Sequence, residues 1–195
     1  LALRGQALPR TRHDIYDQLV RVLLDVHPEN RATAAGDTSP RFGDAWDATQ
    51  RRATIARLAF AVREQTGGAG ILLKEARGLL SGYLTSSSQG FEFTEVDALA
   101  AVNEILSVNA ETQGLIVEKA AEEIGFVHSS FEEFLSAEHI GSWPFAEIEE
   151  FVRAHANEGR WRNVITNLIG QIQRPDEINR LVAIIETPEP DEMAR

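Results

Sequence analysis

The sequence predicts a mainly α-helical protein that contains one small β-hairpin. Apolar residues recur at three- and four-residue spacings over most of the 195 residues, and this spacing places them on one face of a helix. Two short β-prone runs, residues 114–118 and 124–128, are separated by a polar stretch, which predicts a hairpin. After Gly141 the pattern is only helical, with short connections that favour antiparallel packing.

The first predicted element is an amphipathic helix over residues 11–26. Its apolar residues keep helical spacing, with arginines and aspartates between them, and they are Ile15, Leu19, Val22, Leu23 and Val26. Glycine, proline and polar residues interrupt this pattern between residues 27 and 43, which predicts a linker. Residues 1–43 are therefore assigned to the end of a helical domain and a linker.

The middle of the chain contains a helix, a short extended piece, two more helices and the hairpin. The helix at residues 44–66 is expected to end at the glycines of residues 67–70, because glycine readily adopts the conformation that closes a helix. An extended piece follows at 71–73, and helices follow at 74–83 and 94–109, the last with Thr94 and Asp97 as its cap. Residues 86–90 are predicted to be a loop.

A further helix at residues 131–140 follows the hairpin, and Ser129 or Ser130 is predicted to cap it, since a serine oxygen can accept from the first amide groups of a helix. The order helix, strand, helix, helix, hairpin is typical of a winged-helix domain. Residues 44–140 are therefore assigned to a winged-helix domain. Residues 141–195 are assigned to the start of a second helical domain, with helices at 145–156, 160–173 and 176–186.

Composition excludes several classes of function. A net charge of −11 disfavours nonspecific nucleic-acid binding, because an acidic surface is repelled by phosphates. Lys74 and Lys119 are the only lysines, and neither is followed by serine or threonine, so the chain contains no Walker A loop. The chain has no cysteine and no long apolar run, so we expect no disulfide, no membrane span and a cytoplasmic setting. Because the sequence begins at Leu1, we expect an excerpt of a longer chain.

Motifs of common hydrolases are also missing. The five histidines never show the His-Glu-x-x-His spacing of zinc proteases, and no Gly-x-Ser-x-Gly nucleophile elbow occurs. We therefore expect no metal site, no catalytic residues and no enzymatic activity in this segment itself.

Residues 125–137, GFVHSSFEEFLSA, resemble the signature Phe-x-His-x-x-Phe-x-Glu-Phe/Tyr-Leu-Ala-Ala that closes the winged helix of NACHT ATPases. This STAND class includes animal NLR receptors and bacterial antiviral relatives. Ser136 stands where the family usually has alanine. Residues 8–20 resemble the family's first helical domain, and residues 159–164 resemble the Arg-Trp segment of its next helical domain.

The resemblance implies that the parent chain is an ATPase that uses ADP or ATP with Mg²⁺, and that this segment regulates it. In the ADP state the segment would lie against the NACHT core of the same chain. Exchange for ATP would release it for homo-oligomerisation in signalling or antiviral defence. His128 matches the histidine that contacts the ADP phosphate, and Ser129 and Ser130 are candidates to add hydroxyl donors. The segment alone is not expected to bind nucleotide tightly.

Other residues of the signature are assigned structural roles. Phe126, Phe131, Phe134 and Leu135 have the spacing of core residues. Glu132 and Glu133 are candidates for acid/base chemistry, but capping or a solvated position at the first helical turn is the favoured interpretation.

Two alternative functions remain open at this point. One is a DNA-binding winged helix, in which residues 74–83 would enter the major groove and the hairpin would contact the backbone. Glu75 and Glu118 lie among its few cations and oppose this function. The other alternative is a protein-interaction module that binds only other proteins.

Overall fold

The computed structural model describes residues 11–26, 47–86, 91–107 and 114–187. Helix α1 spans Arg12–Arg21 and continues into a π-helical turn, Val22–Val26. Its start is a capping box, in which the Asp14 amide donates to the Thr11 hydroxyl and the Thr11 amide donates to the Asp14 carboxylate. The helix predicted for residues 11–26 is confirmed. The predicted linker falls almost wholly outside the described residues.

Helix α2, Ala48–Thr66, is the central helix of the molecule, and most of its second half is buried. It begins at a second capping box, formed by Asp47 and Gln50. It ends at Gly67, whose φ of +66° is the left-handed conformation that glycine adopts without strain. The predicted glycine end is confirmed, and residues 44–46 of the predicted start lie outside the described residues.

The elements between α2 and the hairpin follow the predicted order. Strand β1 is Ile71–Leu72, helix α3 is Leu73–Thr85 and helix α4 is Glu95–Ser107. The Asp97 amide donates to the Thr94 hydroxyl over 3.2 Å, which confirms the predicted cap of α4. Of the predicted loop at 86–90, only Ser86 is among the described residues.

The three strands form one antiparallel sheet in the order β1-β3-β2, with β2 at Ile116–Ala120 and β3 at Glu123–Phe126. Ile71 pairs with Ile124, and Ile116 pairs with Phe126. The predicted hairpin is confirmed, although its turn is shorter than predicted. Residues 119, 120 and 123 belong to the strands, because polar side chains are tolerated on the solvent face of an antiparallel sheet.

Four helical elements complete the described chain, namely α5 (Ser129–Gly141), α6 (Phe145–His155), α7 (Arg162–Gln171) and α8 (Pro175–Glu186). A single 3-10 turn, Gly159–Trp161, leads into α7. Pro175 is the first residue of α8, a position where its missing N–H costs nothing. The predicted helical pattern after Gly141 is confirmed.

Two apolar clusters meet along α2 and α5. The first contains residues of α1 to α5 and the sheet, including Phe126, Phe134 and Leu135, with Phe131 packed against it. The second joins Phe60 of α2 and Ile140 of α5 to α6, α7 and α8, with Trp161 fully buried in it. The core roles predicted for the signature's phenylalanines and leucine are confirmed. Helix α5 therefore has one face in each cluster.

Candidate functional site

His128 lies between β3 and α5 and caps the helix with its own ring. Its backbone is extended, and the Ser130 amide donates to its Nδ1 over 3.1 Å. A ring nitrogen that accepts a hydrogen bond carries no proton, so the neutral imidazole has its proton on Nε2. Because the side chain is exposed, His128 presents an N–H donor to solvent at the positive end of a helix.

The prediction that Ser129 or Ser130 caps this helix is wrong. Both serines lie within the first turn of α5, whereas a capping residue needs the extended backbone that His128 has. Nδ1 is separated from Cβ by one atom, as is the side-chain oxygen of asparagine, so it can reach the same amide group.

The two serines have different environments. Ser129 is exposed, whereas Ser130 is half-buried and faces α1. A hydrogen bond with the Ser130 hydroxyl is the main reason that the pKa of Tyr16 lies below its ordinary value, and Arg12 contributes to the same shift. The Arg12 guanidinium carbon lies 5.5 Å from the centre of the Tyr16 ring.

A chain of contacts thus runs from His128 through Ser130 to Tyr16 and Arg12. His128 and both serines were predicted from the sequence, whereas the two residues of α1 were not. The available signal was the four-residue spacing of Arg12 and Tyr16 on one helix face. Nothing in that spacing indicates which distant residues the face contacts.

Glu132 and Glu133 are buried, with 1% and 7% of their surface exposed, so the predicted solvated or capping role is wrong. The Arg63 side chain makes a bidentate pair with the Glu132 carboxylate, in which Nε donates to Oε1 over 2.9 Å. Glu133 accepts from the Asn163 amide over 3.0 Å and lies 3.5 Å from the Arg63 guanidinium. Both carboxylates are buried because α5 lies between the two apolar clusters, so that even its first turn packs against other helices.

Arg63 donates in three directions. Besides the carboxylates, its Nη1 donates to the carbonyl oxygens of Gly67 and Arg160, over 3.1 and 3.3 Å. Gly68 leaves room for this arrangement, since a Cβ at that position would lie 2.8 Å from a Glu132 oxygen. We call Arg63, Glu132, Glu133 and Asn163 the ion cluster, and it joins α2 and α5 to the start of α7.

The ion cluster has a structural role. Burial raises the pKa of Glu132, and the hydrogen bonds from Arg63 and Ser136 counteract only part of that effect. A raised carboxyl pKa is also found in general acids, but such a group must reach a substrate. Glu132 has almost no exposed surface, so its carboxylate is assigned to the stability of the fold.

His139 lies further along α5 in an aromatic environment. Its ring centre lies 5.2 Å from that of Phe60, 5.7 Å from Trp143 and 6.0 Å from Tyr83. Burial, with a smaller effect from Arg57, lowers the pKa of His139 to about 4. His139 is therefore a neutral core residue at pH 7.

The surface considered for DNA binding carries both signs of charge. Lys74, Glu75 and Arg77 are all exposed on α3, and Glu118, Lys119 and Glu122 are exposed on the hairpin. The carboxylates therefore lie in solvent beside the cations, where they oppose contact with phosphates. Within the four described ranges, no group of three or more His, Asp or Glu side chains is placed to hold a metal ion.

Comparison with known proteins assigns the family. No curated protein and no solved structure matches this chain. No described helix has the length and apolar character that a membrane crossing requires. A family model described as the winged helix-turn-helix domain C-terminal to NACHT matches residues 12–140, which include α1, the sheet and nearly all of α5. The resemblance found in the sequence is confirmed, and the chain belongs to this family of winged-helix domains that follow a NACHT domain.

Proposed function

We propose that this chain is the regulatory segment of a NACHT STAND ATPase that switches with its bound nucleotide. In the ADP state the segment lies against the NACHT core of the same chain and keeps it inactive. Exchange of ADP for ATP with Mg²⁺ releases the segment and permits homo-oligomerisation, in a signalling or defence pathway. The chain belongs to a family of domains that follow a NACHT domain, which supports the presence of a NACHT core in the same protein.

The observation that carries the proposal is the capping geometry of His128. Because Nδ1 accepts from the Ser130 amide, Nε2–H remains as an outward donor at the helix N-terminus. An ADP phosphate oxygen is an acceptor that fits this donor, and the helix dipole favours its negative charge. The exposed Ser129 hydroxyl offers a second donor beside it, whereas the Ser130 hydroxyl is engaged with Tyr16.

A contact of this kind acts as a switch only if it forms in one nucleotide state and not in the other. A ligand shifts a conformational equilibrium by its difference in affinity for the two states. One hydrogen bond between His128 and a charged phosphate is worth about 1.5–3 kcal/mol. Its loss is therefore expected to weaken ADP retention roughly 10- to 100-fold.

The test uses the full-length protein with two substitutions at one position. His128→Ala removes both the cap and the Nε2 donor. His128→Asn keeps a side-chain oxygen that caps the helix well, but it cannot reach as far as Nε2. The dissociation rate of ADP and the fraction of oligomer are measured for both variants and for the unchanged protein.

Both variants are expected to release ADP faster and to form oligomers at lower ATP concentrations. If His128→Ala releases ADP but His128→Asn behaves as the unchanged protein, His128 acts only as a helix cap and the proposed phosphate contact is wrong. Unchanged ADP retention in both variants would contradict the proposal as well.

A further inference from the structure

Arg12 is an exposed cation at the first position of α1, in a chain whose net charge is −11. A cation on the first turn of a helix is repelled by the positive end of the helix dipole, so Arg12 does not help α1 to form. Within the part of the chain that the structure describes, no carboxylate forms an ion pair with its guanidinium. Its charge is therefore free to meet an anion that approaches this end of α1.

Tyr16 holds Arg12 beside the first turn of α5. The guanidinium carbon of Arg12 lies 5.5 Å from the centre of the Tyr16 ring. That ring packs against Phe131 and Phe134 of α5, with ring centres 6.0 and 5.6 Å apart. The Tyr16 phenol is hydrogen-bonded to Arg12 and to the Ser130 hydroxyl.

His128 lies at the other end of this chain of contacts, because the Ser130 amide donates to its Nδ1 over 3.1 Å. Only two side chains, those of Ser130 and Tyr16, link His128 to the guanidinium of Arg12. The outward N–H of His128 and the charge of Arg12 are thus both held at the N-terminal end of α5.

The two groups supply different parts of an anion contact. A neutral His128 donates one hydrogen bond but carries no charge. Arg12 is always charged, and its planar guanidinium can donate two parallel hydrogen bonds to phosphate oxygens. The neighbouring carboxylates are occupied, since Asp14 accepts from the Thr11 amide and Glu133 belongs to the ion cluster. Arg12 therefore provides the positive charge that the neutral imidazole lacks.

We propose that Arg12 is a second ligand of the phosphate that His128 contacts, and that Tyr16 is the residue that positions Arg12. This inference rests on the proposed function, because it assigns a further ligand to the same nucleotide contact. Arg12 touches the phosphate, whereas Tyr16 acts only through Arg12. The nucleotide contact is then shared by α1 and α5, at opposite ends of the winged-helix sequence.

The test measures the dissociation rate of ADP from the full-length protein. Arg12→Gln removes the charge and keeps a polar side chain, and Arg12→Lys keeps the charge without the planar guanidinium. Arg21→Gln is the matched control, because Arg21 is also exposed on α1. It lies nine residues after Arg12, which is about two and a half helical turns, and therefore on the opposite face.

Arg12→Gln is expected to raise the dissociation rate about 10-fold, as for the loss of a charged hydrogen-bonded contact. Arg12→Lys is expected to raise it less, and Arg21→Gln not at all. Added salt is expected to speed ADP release less in Arg12→Gln than in the unchanged protein, because the contact that salt screens is already lost. Unchanged melting temperatures verify that these surface substitutions leave the fold intact.

Tyr16→Phe tests the positioning role, since it removes the phenol and keeps the ring. It is expected to raise the dissociation rate about 2- to 10-fold through loss of the hydrogen bonds of the phenol. In a protein that already carries Arg12→Gln it is expected to have no further effect, because Tyr16 acts through Arg12. An effect of equal size in both backgrounds would contradict the positioning role.

Three results would overturn the second ligand. If Arg12→Gln releases ADP as slowly as Arg21→Gln while His128→Ala speeds release, Arg12 is no ligand and the proposed function stands without it. If neither Arg12→Gln nor His128→Ala changes the rate, the proposed function fails and this inference fails with it. Faster release from Arg12→Gln with an undiminished effect of salt would mean that Arg12 acts without a charge contact.

Discussion

The first turn of α5 has two sides that differ in almost every physical respect. His128 and Ser129 are exposed, and the main contact of the His128 ring is the hydrogen bond from the Ser130 amide. Glu132 and Glu133, three to five residues later, are buried against Arg63 and Asn163. One side can meet a ligand without disturbing the fold, and the other joins the family's winged helix to the helices that follow it.

This difference indicates which substitutions are expected to affect binding and which are expected to affect stability. A change at the exposed side alters what the surface binds, because few contacts within the chain depend on it. A change at the ion cluster leaves a buried charge without its partner, and the whole fold loses free energy. Three predictions test this contrast, from the largest expected effect on stability to the smallest.

Arg63→Ala is expected to lower the free energy of unfolding by about 3–5 kcal/mol, because it leaves the buried Glu132 carboxylate unpaired. Chemical denaturation of the variant and the unchanged chain measures this. Arg180→Ala is the matched control, since the Arg180 side chain is 59% exposed in its pair with Glu149, so that a loss of at most about 1 kcal/mol is expected. Equal losses in the two variants would contradict the contrast between buried and exposed charges.

The burial of His139 is expected to make the free energy of unfolding depend on pH. Its pKa is about 4 in the folded chain, whereas an unfolded histidine titrates near its ordinary value of about 6.5. Between these values the unfolded state binds the extra proton, so stability falls as the pH falls from about 6.5 to about 4, by up to about 3 kcal/mol. Above about pH 6.5 His139 is neutral in both the folded and the unfolded chain, so it contributes nothing to the pH dependence of stability.

Denaturation of the unchanged chain and of His139→Phe across this pH range isolates the effect, because their other titrating groups are the same. The difference in stability between the two proteins is expected to shift in favour of the variant as the pH falls. A difference that stays constant from pH 7 to pH 4 would mean that His139 is not held neutral by burial.

The smallest effect is expected on the exposed side of α5. His128→Ala should lower the free energy of unfolding by about 1 kcal/mol through loss of the cap, and His128→Asn by much less. Thermal melting of both variants measures this. Losses as large as that of Arg63→Ala would mean that His128 belongs to the structural part of the turn, and that the two sides do not differ as described.

The order and type of the elements followed from the sequence, because the signals for them are local. The apolar spacing of α2, the glycines at its end and the β-prone runs of the hairpin act within a few residues of chain. The division of the chain at residues 43 and 140 is not tested by the structure and stays a prediction. His128 was found through the resemblance of residues 125–137, which is also a local pattern.

The roles of neighbouring side chains were decided by tertiary structure. Whether Glu132 is solvated or buried depends on Arg63, and whether Ser130 is free or engaged depends on Tyr16. Both partners lie on helices far away in the chain. Local sequence determines which residues can form a helix, because its hydrogen bonds span four residues. Only the packed fold determines which charged groups leave water, because a buried charge needs a partner brought to it by another element.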